Sequence, residues 1–230
     1  MKSIEQARSL YYKFFATAFG FIDENSYDIL TELIKLLKEN PMDTVSFEAL
    51  CSMYEFLENG GTVALKSESD DLFISPESSF VPVSASYYDE GRDDGKKRLD
   101  TISLILKSAF RKNEFACKDS EDSVCFLCQF MQALTLKQDE NSLEIAKNMF
   151  KEILNDFIDD FAMNLYRHEN GDFYKNLAIV LSTFGEFERF YLGVAPSLKT
   201  ASSERISAVI KKDRKPMTQK IRRNLDEIVL

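Results

Sequence analysis

Residues 120–136 read Ser120-Glu121-Asp122-Ser123-Val124-Cys125-Phe126-Leu127-Cys128-Gln129-Phe130-Met131-Gln132-Ala133-Leu134-Thr135-Leu136. Val124, Leu127, Cys128, Met131 and Leu134 recur at helical spacing, and Cys125, Phe126, Phe130 and Ala133 carry apolar character round much of the remaining surface. A helix that is apolar nearly all round is covered by other elements on most sides, so this stretch predicts a buried central helix. Glu121 and Asp122 are expected in its first turn, where carboxylates satisfy free N–H groups and the positive end of the helix dipole. The result is an acidic mouth on a buried helix.

The segments on either side support an all-α chain. Apolar periodicity runs through Leu10, Tyr11, Phe14, Phe15 and Ala18, after a Ser3/Gln6 capping box and before Gly20. A second helix starts near Asn25 or Ser26 and ends at Asn40-Pro41; a third runs from about Ser46 to Asn59-Gly60-Gly61. Helical spacing returns from Leu99 to Phe110. Two long helices follow the central one, from near Ser142 to Leu165 and from Asp172 to Phe190, as in an antiparallel bundle with short loops.

Between Gly60 and Lys97 the pattern changes. Pro76, Pro82, Gly91 and Gly95, among clustered Ser, Asp and Tyr, predict that no long helix persists there. Leu72, Phe73, Phe80, Val81, Val83, Tyr87 and Tyr88 argue for order, because so many large apolar groups are costly to leave in water. The expected fold is a compact, single-domain helical bundle over residues 1–194 with a long ordered loop, followed by a basic extension over 195–230 that includes a short last helix.

Composition narrows the function. With 230 residues, roughly 70% of the unfolded surface can be buried, and 19 Phe, nine Tyr, eight Gly and five Pro suit a globular helical protein. Residues 195–230 hold nine Lys/Arg against four Asp/Glu, or +5; the total of −9 therefore leaves −14 on the body. An acidic body favours cationic partners and disfavours nucleic acid or an anionic membrane. Glu5, Arg8 and Lys13 interrupt the apolar start, and no run reaches the ~18 apolar residues of a membrane span. A cytoplasmic protein with reduced cysteines is expected.

Catalytic and metal chemistry find little support. Cys125 and Cys128 stand at i and i+3, where Cβ atoms on an intact helix lie ~5–6 Å apart, beyond the ~3.5–4.5 Å of a relaxed disulfide. Zinc needs about four ligands, and beyond Cys117 the remaining soft ligands are Cys51 and the lone His168. His168 suits a helix C-terminus. Neither a nucleophile elbow, a P-loop nor a dinucleotide fingerprint is present, so no catalytic residue, metal or cofactor is assigned. What remains is a groove with aromatic walls and carboxylates at one end. Such a groove fits a peptide with arginines beside an apolar run, because carboxylates pair bidentately with guanidinium.

At these residues the sequence resembles the TorD/DmsD/NarJ family of redox-enzyme maturation chaperones. Asp71-Leu72-Phe73-Ile74-Ser75-Pro76 is similar to the family's Leu-Phe-to-Pro segment and Ser84-Ala85-Ser86-Tyr87-Tyr88 to its Ser-x-Tyr segment. Glu121-Asp122-Ser123-Val124 with Cys128-Gln129-Phe130-Met131 is similar to its Pro-Asp-His-Leu helix start. Glu121 stands where the family has proline and Ser123 where it has histidine; Asp122 keeps the aspartate. The resemblance implies a cytoplasmic chaperone without catalysis. It would bind a molybdenum-cofactor enzyme's catalytic subunit, often at its twin-arginine signal peptide, as a monomer or homodimer, and hold it until the cofactor is loaded. Client-binding residues would be Leu72, Phe73, Pro76, Ser86, Tyr87, Tyr88, Glu121, Asp122 and Ser123. The alternative is a helical adaptor or regulator that holds another protein through the same loop. In the extension, Lys220-Ile221-Arg222-Arg223-Asn224-Leu225 has the arginine-pair pattern of a competitor for that groove.

Overall fold

The computed structural model describes residues 2–75, 79–115, 117–198, 206 and 209. Among these the chain is helical, with one isolated antiparallel bridge, Ser84 to Ser123. The helices are α1 (Lys2–Ala18), α2 (Glu24–Glu39), α3 (Thr44–Phe73), α4 (Ala85–Glu90), α5 (Lys96–Lys107), α6 (Val124–Lys137), α7 (Glu140–Met149), α8 (Asn155–Arg167) and α9 (Phe173–Leu192). A π-turn, Phe150–Leu154, joins α7 to α8 without a break in helical backbone.

The central helix lies where its periodicity puts it. α6 packs against α1 and α7, and Leu127, Met131 and Leu134 have no exposed surface. Aromatic residues of α1 and α9 meet beside it, Phe15 against Phe184 at 5.4 Å between ring centroids, and Phe19, just past α1, packs against Phe161 of α8 at 5.1 Å. The fully buried rings among these, Phe15, Phe161 and Phe184, contribute about 1.5–3 kcal/mol each. Most buried polar groups in this core are paired, the Tyr11 and Ser46 hydroxyls excepted. Arg8, 1% exposed, donates to both carboxylate oxygens of Glu188 at 2.6 and 2.7 Å and to Glu5 at 2.6 Å. Burial works against its charge, and these carboxylates outweigh it.

Three expectations are corrected. The third helix does not stop at Gly60-Gly61. Gly61 adopts φ 60°, ψ −165°, a conformation open to glycine, and the chain resumes a helix that runs on to Phe73. Leu72 and Phe73 therefore lie at a helix end. Glu121 and Asp122 precede the first turn of α6 because Ser123 is its N-cap, accepting from Phe126 N through its side chain. Phe110 lies beyond α5, which ends at Lys107.

α9 begins at Phe173 behind Asp172, as its sequence suggests, yet the Asp172 side chain makes no cap. Glu68, from α3, caps it: its carboxylate accepts from the backbone N–H groups of Asp172, Phe173 and Tyr174 at 2.9, 3.1 and 2.8 Å. Beyond α9, Ser197 donates to Asp156 at 2.6 Å and the Asn155 amide donates to the Ala195 carbonyl, which straps the chain back onto α8. Ile206 is buried and Val209 half-buried against the core. The expected last helix, the Arg222-Arg223 pair and the Ser3 side chain of the capping box lie outside the described residues.

Candidate functional site

The segment after α3 and the entrance to α6 are distant in sequence and joined in space. Val81 N donates to Leu72 O at 2.9 Å, which turns the chain back along the end of α3. Val124 N then donates to Val83 O, and Ala85 N to Asp122 O, both at 2.9 Å. The Asp122 carboxylate completes the junction, accepting from Ser86 N at 2.9 Å and from the Ser120 hydroxyl at 2.5 Å. Asp122 and Ser86 have no exposed surface and Ser123 has little. These three residues hold the strap (residues 79–88) to the mouth of α6.

Glu121 sits at the edge of this junction and holds two cations. Arg98 Nε donates to one carboxylate oxygen at 2.7 Å, and Lys112 Nζ to the other at 3.1 Å. The Arg98 guanidinium also donates to the Asp94 carboxylate, and its backbone N–H donates to the Ser86 hydroxyl. Burial pushes the Glu121 carboxyl up, and the two cations more than offset it, so it titrates below its ordinary range.

The aromatic residues of the strap divide. Tyr88 packs its ring on Phe157 at 5.5 Å; its hydroxyl donates to Pro82 O at 2.9 Å and accepts from Asn164. Burial raises its phenol. Tyr87 is 42% exposed and Phe80 54%. Both line a cleft of about 420 Å³ with Val81, Pro82, Arg167 and His168. His168, the C-cap of α8, closes its floor: Asn170 N donates to Nδ1 at 3.3 Å, which leaves Nε2 as the donor to Ser79 O at 2.8 Å. Phe73 packs edge-on against Tyr174, and Leu72 is fully buried beneath the strap. Pro76 lies outside the described residues.

The structure thus brings Ser86, Tyr87, Tyr88, Glu121, Asp122 and Ser123 into one junction, with Leu72 and Phe73 beneath it. Sequence reading missed Arg98 and Lys112, whose helix-surface and loop positions carry no periodic signal, and missed Phe80 as a cleft wall. His168 was legible as a helix end; its bond to the strap was not.

Cys125 and Cys128 are buried, and burial raises both thiols. The Cys125 thiol donates to Ala16 O at 3.4 Å. Among the described residues no group of three or more His, Cys, Asp or Glu is arranged to hold a metal, and no helix is long and apolar enough to cross a membrane.

Comparison with known proteins adds two findings. The sequence model of the nitrate reductase delta subunit matches residues 39–163, 125 of the 230 in the chain and a span that includes both the strap and the mouth. A crystal structure from Archaeoglobus fulgidus, described as a redox enzyme maturation protein, is similar in fold, with a TM-score of 0.53 and 21% identity. The similarity covers 77% of this chain and 93% of that one. No curated protein matches the sequence.

Proposed function

We propose, from the premise that this chain belongs to the nitrate reductase delta subunit family, that it is a cytoplasmic chaperone of a molybdenum-cofactor oxidoreductase. In this reading it binds the precursor through its twin-arginine signal peptide, assists cofactor loading before export and catalyses no reaction itself. The family match supports the coarser part, a redox enzyme maturation chaperone, and the fold shared with the Archaeoglobus protein agrees with it.

The observation that carries the finer part is the junction of strap and mouth. It presents two exposed aromatic rings, Tyr87 and Phe80, at a cleft, with a carboxylate on the other side of the junction that already binds two cations. The apolar run of a client peptide lies against Tyr87 and Phe80. Its arginines reach Glu121 by exchange with Lys112, since a guanidinium pairs bidentately with a carboxylate and an ammonium does not. Asp122, Ser86 and Ser123 act by holding the two segments together, Tyr88 by fixing the strap on α8, and Leu72 and Phe73 by supporting it from below.

Calorimetric titration of the full chain with twin-arginine signal peptides of the source organism's molybdoenzymes tests this. Each peptide is paired with a control in which both arginines are lysines. Micromolar binding of one peptide, lost with lysines and weakened in Glu121→Gln and Tyr87→Ala, is the expected result. Arginine and lysine peptides that bind equally, or an unchanged affinity in Glu121→Gln, would overturn the assignment of the arginines to Glu121.

A further inference from the structure

α6 is apolar nearly all round, and its neighbours do not cover it completely. A cavity of about 540 Å³ opens between α6, the turn after α1 and the segment after α5. Phe110, Phe126, Phe130 and Ala133 form its walls. Phe126 and Phe130 stack at 9° between ring planes, with Phe110 edge-on to Phe130.

The rim of this cavity is basic in a chain of net charge −9. Arg111, Lys112 and Lys118 line it against one carboxylate, Asp119. Lys112 is engaged by Glu121 and Glu114. Arg111 donates to backbone carbonyls at the end of α5, and Lys118 to Glu114 O; among the described residues neither has a carboxylate partner. Phe21 (75% exposed) belongs to the lining, and a second exposed ring, Phe115 (93%), lies beside the rim next to Lys118. Each carries a lysine, Lys66 over Phe21 at 5.5 Å and Lys118 over Phe115 at 6.0 Å.

We infer that this groove is a second docking site, for an acidic amphipathic helix of a partner protein. The cavity takes its apolar anchors, and Arg111, Lys118 and Lys66 pair with carboxylates that flank them. Its volume falls in the range of small-ligand pockets, but a ligand confined to the cavity would leave Phe115, outside its lining, in water; a helix extends beyond the lining. The chemistry is opposite to that of the mouth of α6, which favours cations. The two sites therefore distinguish partners by sign of charge, and this one does not depend on twin-arginine binding.

The test uses three fluorescent 16-residue helical peptides. One carries Leu or Phe at i, i+3 and i+7 with flanking Glu, the second has Lys for every Glu, and the third has Ser for every Leu or Phe. Fluorescence anisotropy with the full chain should show binding of the first alone, weakening with salt. Ala133→Phe, which fills the cavity, should abolish it. Lys118→Glu, at an exposed position, should weaken it roughly tenfold. Unchanged thermal unfolding of both variants would show that they are folded. Equal binding of the acidic and basic peptides, binding that survives Ala133→Phe, or no binding of the acidic peptide would each overturn the proposal. So would a concentration-dependent dimer from which the acidic peptide cannot displace a copy.

Discussion

Replacing Glu68 by alanine should destabilise the protein more than any change at the apparent cap of α9. Glu68 is 6% exposed and its carboxylate accepts three backbone N–H groups at the start of α9. Asp172 is exposed, so water can satisfy its N–H after the substitution; Phe173 and Tyr174 are fully buried, and theirs would be orphaned. An unsatisfied buried donor costs about 1–3 kcal/mol, so two give roughly 2–6 kcal/mol. Relief of the buried carboxylate opposes this, since burial pushes the Glu68 carboxyl up against the pull of the three amides. A net loss of about 3 kcal/mol is expected, or ~6–12 °C in melting temperature for a chain of this size. Urea unfolding at pH 7, with calorimetry, measures both. The control is Asp172→Ala, whose side chain caps nothing; it should fall within ~0.5 kcal/mol of the parent. If Glu68→Ala lies within that margin, or Asp172→Ala costs as much, the α9 amides are satisfied by another route and the reasoning fails.

Two further outcomes follow from the junction and the kink. The folded-state carboxyl of Glu121 is held low, so its contribution to stability is complete above the unfolded value of about 4.3 and is lost as pH falls through the folded value. In urea unfolding between pH 6 and pH 3, the gap between the parent and Glu121→Gln should narrow only on the acid side; a gap independent of pH would show that the ion pairs contribute nothing. Gly61→Ala meets no heavy atom within 4 Å, so its cost is conformational alone, about 1–3 kcal/mol for a side chain at φ 60°. Circular dichroism during urea unfolding would register it, and a cost below ~0.5 kcal/mol would mean that the kink does not require glycine.

Helix periodicity is a local property, and it is where sequence reading succeeds. The spacing of Val124, Leu127, Met131 and Leu134 marks α6 as central, and the same rule finds α1, α2 and both long C-terminal helices. A run of turn-forming residues in 60–97 is also legible, but its conformation is not. Gly60-Gly61 reads as a stop, whereas the apolar residues beyond it, among them Leu65 and Leu72, bury themselves by extending the helix to Phe73.

The sequence by itself determined an all-helical fold, the central position of α6, and the presence of aromatic residues in segment 72–88 and of acidic ones in 120–124. Each is set by spacing and side-chain chemistry within a few turns of chain. Only the tertiary structure decided what those carboxylates do. Asp122 lies on the strap and Glu121 between Arg98 and Lys112, because residues 36 and 23 positions away fold against them. It also decided that Glu68 caps a helix that begins 105 residues later. A buried polar group takes whatever partner packing brings within hydrogen-bond reach, and distance along the chain carries no record of that choice.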